Sequence, residues 1–268
     1  MNRYEEAFNG AKARRESALI PFAVAGDPGP EAFLEVVKAY VDGGADVLEI
    51  GYPFSDPVAD GPVNQRAAIR AIKAGLNHSL FFSLIKEIRS FTDIPIGLLT
   101  YANTINHLGA EAFCKRAAQA GIDSILTADM PPEESGDLAV SMRRHGIGRV
   151  YIVSEFTPDD RMRYICNNVD SFVYVVSRPG VTGADAELSA SVKTTLSRLR
   201  RVTNKPAAVG FGISTPKHAR GVTKAGAQGV IVGSALVSVI EDAVNKGVSP
   251  ARALTKRVKE LKAATGHA

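Results

Sequence analysis

The chain has 268 residues, 45% hydrophobic and 22% charged, with a formal net charge of +4 and no tryptophan. This is the composition of a folded globular protein, and its modest basic excess, densest at RLRR (198–201) on a helix-like face, has no aromatic-interleaved patch or motif that would point to nucleic acid. No apolar run reaches the roughly 18–20 residues of a membrane helix and the polar opening MNRYEEAFNGAKARRES is not a signal peptide, so a cytoplasmic protein is expected, with disorder only at the closing AATGHA.

In chain order, an extra N-terminal helix is followed by eight strand candidates: 18–25, 45–51, 95–101, 123–128, 149–154, 171–177, 206–212 and 228–234. Several are apolar almost throughout instead of alternating, the pattern of parallel strands covered on both faces. The segments PEAFLEVVKAYVDGG, SLFFSLIKEIRSF, GAEAFCKRAAQAG and PEESGDLAVSMRRHG carry apolar residues at spacings of three and four, and three of the four end in glycine. GGADVLEIG, AGIDSILTAD and AGAQGVIVGS repeat one helix-to-strand passage. A C-terminal pair of helices is expected at roughly 234–246 and 250–265. No linker interrupts this order, so the chain reads as one α/β domain over 1–268, a (β/α)8 TIM barrel with an extra N-terminal and an additional C-terminal helix. An open doubly wound sheet is the competitor; GDPGPE at 26–31 lacks the dinucleotide fingerprint that would favour it. Cys114 and Cys166, far apart in helical patterns, read as reduced thiols.

Active sites of such barrels sit at the C-terminal ends of the strands. Glu49 ends the second strand, where it is either ion-paired to a loop or, if buried, raised toward neutrality as a general acid/base. Asp60, in the loop PFSDPVADGP, is a turn residue or a site residue; Asp56 reads as a turn or interface residue. SRPGVTG after strand six, GFG ending strand seven and VGS before the helix at Ser234 place glycines beside a helix start, as in a phosphate site. No strand ends in a lysine for Schiff-base chemistry. His78, His145 and His218 lie in or beside helical segments and His107 in a loop, leaving no metal set. Chemistry is thereby assigned to carboxylates, hydroxyls and a phosphate anchor.

LEIGYPFSDPVADG at 48–61 closely resembles the signature of the tryptophan synthase alpha chain family, and PFAVAGDPG (21–29), PIGLLTYAN (95–103), AGIDSILTADMPPEES (120–135), YVVSRPGVTG (174–183), GFGIS (210–214) and AGAQGVIVGSALV (225–237) resemble its other blocks in order. The resemblance implies a lyase that cleaves indole-3-glycerol phosphate to indole and glyceraldehyde 3-phosphate without a cofactor of its own. It implies Glu49 as the acid/base, Asp60 as the acceptor of the indole N–H and Tyr174 near the reacting centre. Phe22, Leu99, Leu126 and Phe211 would form the indole slot, and Gly183, Gly212, Gly233 and Ser234 the phosphate site. Arg178 and Thr182 would belong to a lid. A beta-chain partner carrying PLP, in an α2β2 assembly, would face the loop of Asp56. Asn64, where the family usually has an apolar residue, and Pro179 at the start of the lid depart from the pattern. A sugar-phosphate isomerase of histidine or tryptophan biosynthesis would share the phosphate loops but lack the block around Glu49 and Asp60; a subunit that only regulates a partner would have no need of that block.

Overall fold

The computed structural model describes residues 2–176, 184–210 and 212–267. Parallel strands run in chain order, joined by helical connections except between β5 and β6. The series is β1 (Ala18–Val24), β2 (Leu48–Gly51), β3 (Ile96–Thr100), β4 (Ser124–Thr127), β5 (Gly148–Arg149), β6 (Tyr151–Ser154), β7 (Val173–Val176), β8 (Ala207–Gly210) and β9 (Gly229–Val232). β9 returns to pair with β1, so the sheet closes on itself everywhere except between β5 and β6. Those two are one barrel strand interrupted at Val150: β5 pairs with β4, β6 pairs with β7, and the Val150 amide still donates to the Ile125 carbonyl. The fifth expected strand (149–154) is thus split, because its first part follows β4 and its second part follows β7.

Side chains alternate across each strand, as the period of two requires. Leu19, Leu48, Leu98, Ile125, Val173, Val209 and Val230 face outward into the shell beneath the helices. Ile20, Val47, Leu126, Val150, Phe172, Ala208 and Ile231 fill the barrel interior. Two residues further along the strands, at the same parity, stand Phe22, Glu49 and Tyr174, with Gly233 just past the end of β9. Parity therefore sends all four into the barrel mouth.

The opposite end is closed by α1 (Arg3–Ala13), which begins with a capping box between Asn2 and Glu5. Its Tyr4 enters the interior, packs at a tilt against Phe172 and shares a 2.7 Å hydrogen bond with Ser124, so the buried hydroxyl is satisfied. Gly97 makes this possible, since a Cβ there would stand 2.7 Å from the Tyr4 oxygen.

The outer layer holds α2 (Pro30–Asp42), α3 (Pro62–Lys73), α4 (His78–Phe91), α5 (Ala102–Leu108), α6 (Ala110–Ala120), α7 (Gly136–Arg144), α8 (Asp159–Asn167), α9 (Ala184–Leu199), α10 (Pro216–Lys224), α11 (Ser234–Asn245) and α12 (Ala251–Ala263), of which α2, α4, α6, α7, α11 and α12 answer to the helical segments named from the sequence. Cys114 and Cys166 are buried free thiols on α6 and α8. Two expectations are corrected. His107 lies on α5, not in a loop, and stacks on His78 with ring centroids 5.4 Å apart. The tail is held in place as far as His267: Thr265 is fully buried, Gly266 bridges to Glu16, and the His267 amide donates to the Arg15 carbonyl.

Candidate active site

A cavity of about 210 Å³ opens at the C-terminal ends of the strands. Glu49, Asp60, Tyr174, Phe22, Leu99, Leu126, Gly212, Gly233 and Ser234 all line it. Phe211, Arg178, Pro179, Thr182 and Gly183 lie outside the described residues. Asp56 does not reach the cavity. It sits on the exposed loop after β2, where Ser55 donates to its carboxylate at 2.6 Å and its neighbour Val58 is 84% exposed.

Glu49 is buried, and among the described residues no basic side chain pairs with it. Burial, and then the negative charge of Asp60, push its carboxyl up to about 8. Desolvation disfavours the charged form and a nearby like charge adds to it. Of the two readings open from the residues alone, a loop ion pair and a perturbed acid/base, the environment is that of the second. Glycines shape this space sterically. A Cβ on Gly51 would lie 2.6 Å from the Phe22 ring, and one on Gly210 would overlap the Tyr174 hydroxyl. Tyr174 is itself buried, and its phenol is held well above its usual range, by burial first and by the charges of Glu49 and Asp60 after it. It is therefore a proton donor to hydrogen bonds and not a base.

Asp60 precedes Gly61, the N-cap of α3, where a carboxylate is favoured by the helix dipole. Tyr101 donates to Asp60 Oδ2 at 2.8 Å, Asn64 Nδ2 to Oδ1 at 3.2 Å, and Gln65 Nε2 to the Asp60 carbonyl at 3.0 Å. Tyr101, stacked on Phe54, also accepts from the Ala59 amide at 3.2 Å. Sequence reasoning missed Tyr101 as a site residue. The only signal was its place at the end of the third strand, in TYAN. Ile152, Ile213 and Ile231 complete the apolar wall and were likewise unassigned.

Across the cavity from these carboxylates, Gly212 adopts a positive φ of 72°, which favours glycine, and Gly233 caps α11 with no side chain of its own. The first amides of a helix have no intrahelical partner, so the start of α11 at Ser234 presents N–H donors and partial positive charge at the cavity rim. The site joins an apolar slot, two carboxylates of different environment and a helix start with free amides. Among the described residues no group of metal-ligating side chains converges, and no helix is long and apolar enough to cross a membrane.

The family model described as tryptophan synthase alpha chain matches residues 8–266. The chain is 45% identical over 241 residues to the tryptophan synthase alpha chain of Methanoregula boonei, covering 90% of each. It is 42% identical over 266 residues to that of Yersinia pseudotuberculosis, covering 99% of each. The crystal structure of tryptophan synthase subunit alpha from Legionella pneumophila superposes with a TM-score of 0.90 at 33% identity, over 99% of this chain and 98% of that one. An acid raised by burial beside a clamped carboxylate, in a cavity that also holds a helix start, inside a nearly closed parallel barrel, thus occurs in a chain that belongs to the tryptophan synthase alpha chain family.

Proposed function

We propose that the chain cleaves indole-3-glycerol phosphate to indole and glyceraldehyde 3-phosphate in tryptophan biosynthesis, with Glu49 as acid/base and Asp60 as the ring N–H acceptor. The observation that carries the residue roles is the shared cavity in which a carboxyl pushed up to about 8 faces a second carboxylate held by Tyr101 and Asn64. Glu49, protonated, delivers its proton to indole C3. The ring becomes a cation whose N–H hydrogen-bonds to Asp60, which stabilises the developing charge. The bond from C3 to the glyceryl carbon then breaks and its electrons return to the ring. That carbon becomes the aldehyde as its hydroxyl proton passes to Glu49, which restores the acid.

Phe22, Leu99 and Leu126 hold the ring, Tyr174 borders the reacting carbon, and Gly212, Gly233 and Ser234 bind the phosphate. Gly183, Phe211, Arg178 and Thr182 are assigned to the phosphate site, the slot and the lid on the family resemblance alone. The family implies a beta-chain partner; we take the assembly to be α2β2, with Asp56 and Val58 on the loop that meets it and PLP held in the beta chain. A single catalytic domain in the cytoplasm is part of the same reading.

The test is indole release from indole-3-glycerol phosphate, with and without a beta chain. Turnover that is lost in Glu49→Gln supports the assignment. A Glu49→Gln variant with near-normal turnover would overturn it.

A further inference from the structure

Asn64 is the third residue of α3, and its side chain turns back toward Asp60 with Nδ2 donating to Oδ1 at 3.2 Å. A carboxylate only accepts hydrogen bonds, so it fixes which end of the carboxamide faces it: nitrogen toward Asp60, oxygen away. That oxygen, Oδ1, is buried and has no hydrogen-bond partner. Asn64 lines both the main cavity and a small adjoining one walled by Gly51, Tyr52, Pro53 and Phe54. An unsatisfied buried acceptor destabilises the fold, and a leucine would fill a similar volume without it. The asparagine is thus poor at the packing task and useful only through its amide nitrogen.

That nitrogen completes a two-sided grip. Tyr101, from the end of β3, holds Oδ2; Asn64, from α3, holds Oδ1; and Gln65 holds the backbone carbonyl of the same residue. With one donor alone the carboxylate could swing about that hydrogen bond. With two, on different oxygens and from different elements, its plane is set. We propose that Asn64 is a positioning residue for the cleavage reaction: it locks the Asp60 carboxylate so that a free lone pair faces the ring N–H of the indolyl substrate. The proposal rests on the reading of Asp60 as the N–H acceptor. It also accounts for a polar residue at a position where an apolar one would pack better.

The experiment compares Asn64→Leu, Asp60→Asn and the double variant in single-turnover and steady-state indole release, alongside thermal unfolding. Asn64→Leu should lower kcat on the order of tenfold, the loss of one hydrogen bond to a charged group, with little change in KM. Its melting temperature should not fall, because the unsatisfied oxygen is gone. In the Asp60→Asn background the same substitution should cost nothing further, since a residue that acts through Asp60 has nothing left to act on. Wild-type kcat in Asn64→Leu, or an equal loss in both backgrounds, overturns the clamp while leaving the lyase reading intact. A wild-type chain that releases no indole, with or without a beta chain, overturns both. Should Asn64→Leu fail to fold, Asn64→Ala, which adds no volume, carries the same comparison.

Discussion

The hydroxyl of Tyr101 lies 2.8 Å from Asp60 Oδ2, although 41 positions separate the two residues. The hydroxyl also accepts from the Ala59 amide, so it ties the loop after β2 to the end of β3 at the point where Asp60 enters the cavity. Burial, and next its bond to Asp60, hold the phenol above its usual range, and it remains a donor at any physiological pH.

Tyr101→Phe removes that donor and leaves the Ala59 amide without this acceptor. The expected outcome is a fall of about tenfold in kcat/KM for indole-3-glycerol phosphate, with the fold retained, as read by circular dichroism and steady-state kinetics. Unchanged kcat/KM would show that Asp60 keeps its position without Tyr101.

Positioned proton transfer contributes about 10²–10⁴ in rate. Glu49→Gln should lose that factor in kcat while KM for the substrate stays within a few-fold. In the wild type, kcat/KM should fall as pH rises through about 8, where the free enzyme loses the proton that Glu49 donates. A profile flat from pH 6 to 9 would mean that the acid is another group.

The same burial has a thermodynamic signature. In the folded state Glu49 is raised from an ordinary 4.5 to about 8, so between those values the native protein holds a proton that the unfolded chain has released. Stability contributed by this group therefore falls as pH rises through that window, by at most about 5 kcal/mol. Glu49→Gln, which never ionises, should gain stability relative to wild type at pH 9 and much less at pH 5. Urea unfolding at the two pH values measures this directly, and an identical difference at both would contradict it.

At the other end of the cavity, Ser234→Asp places a negative charge among the first amides of α11. Repulsion of a phosphate, together with neutralisation of the helix start, should raise KM by about tenfold or more with a smaller change in kcat. Isothermal titration with inorganic phosphate or glycerol phosphate provides a second readout.

Arg70, on α3, pairs with the buried Asp27 through Nε and Nη2 at 2.7 and 2.9 Å, and with Glu241 of α11 at 2.8 Å. One guanidinium thus joins the helix behind Asp60 to the helix that starts at Ser234. Removing it leaves a buried carboxylate uncompensated. Arg70→Met should destabilise the protein by about 3 kcal/mol in chemical denaturation, and a loss below about 1 kcal/mol would mean that water replaces the pair.

Glu49 was legible from the sequence because a strand end is a local property; that it points into the mouth came from the structure, where it shares the parity of the interior Val47. The helix start at the cavity rim was legible for a similar reason, since Gly233 and Ser234 straddle a strand-to-helix junction. Asp60 could not be told from a turn residue by spacing; only the resemblance, and then the cavity, separated the two readings. Tyr101 and Asn64 were not legible as partners of Asp60, because nothing local says which hydroxyl or amide will meet which carboxylate once loops pack. The pinning of the tail at Gly266 and His267 escaped for the same reason, since their partners Glu16 and Arg15 lie at the far end of the chain.

The interruption at Val150 divides the barrel into a first half, β1 to β5, and a second, β6 to β9. Glu49 and Asp60 come from the first, whereas Tyr174, Gly212 and Gly233 come from the second. Under the proposed function a bound indolyl phosphate would span the two halves over their continuous β1–β9 pairing, with its ring gripped by one half and its phosphate by the other. Neither half would be a smaller enzyme, and each would be only one jaw of a vice, with no purchase on the substrate until the other is set against it.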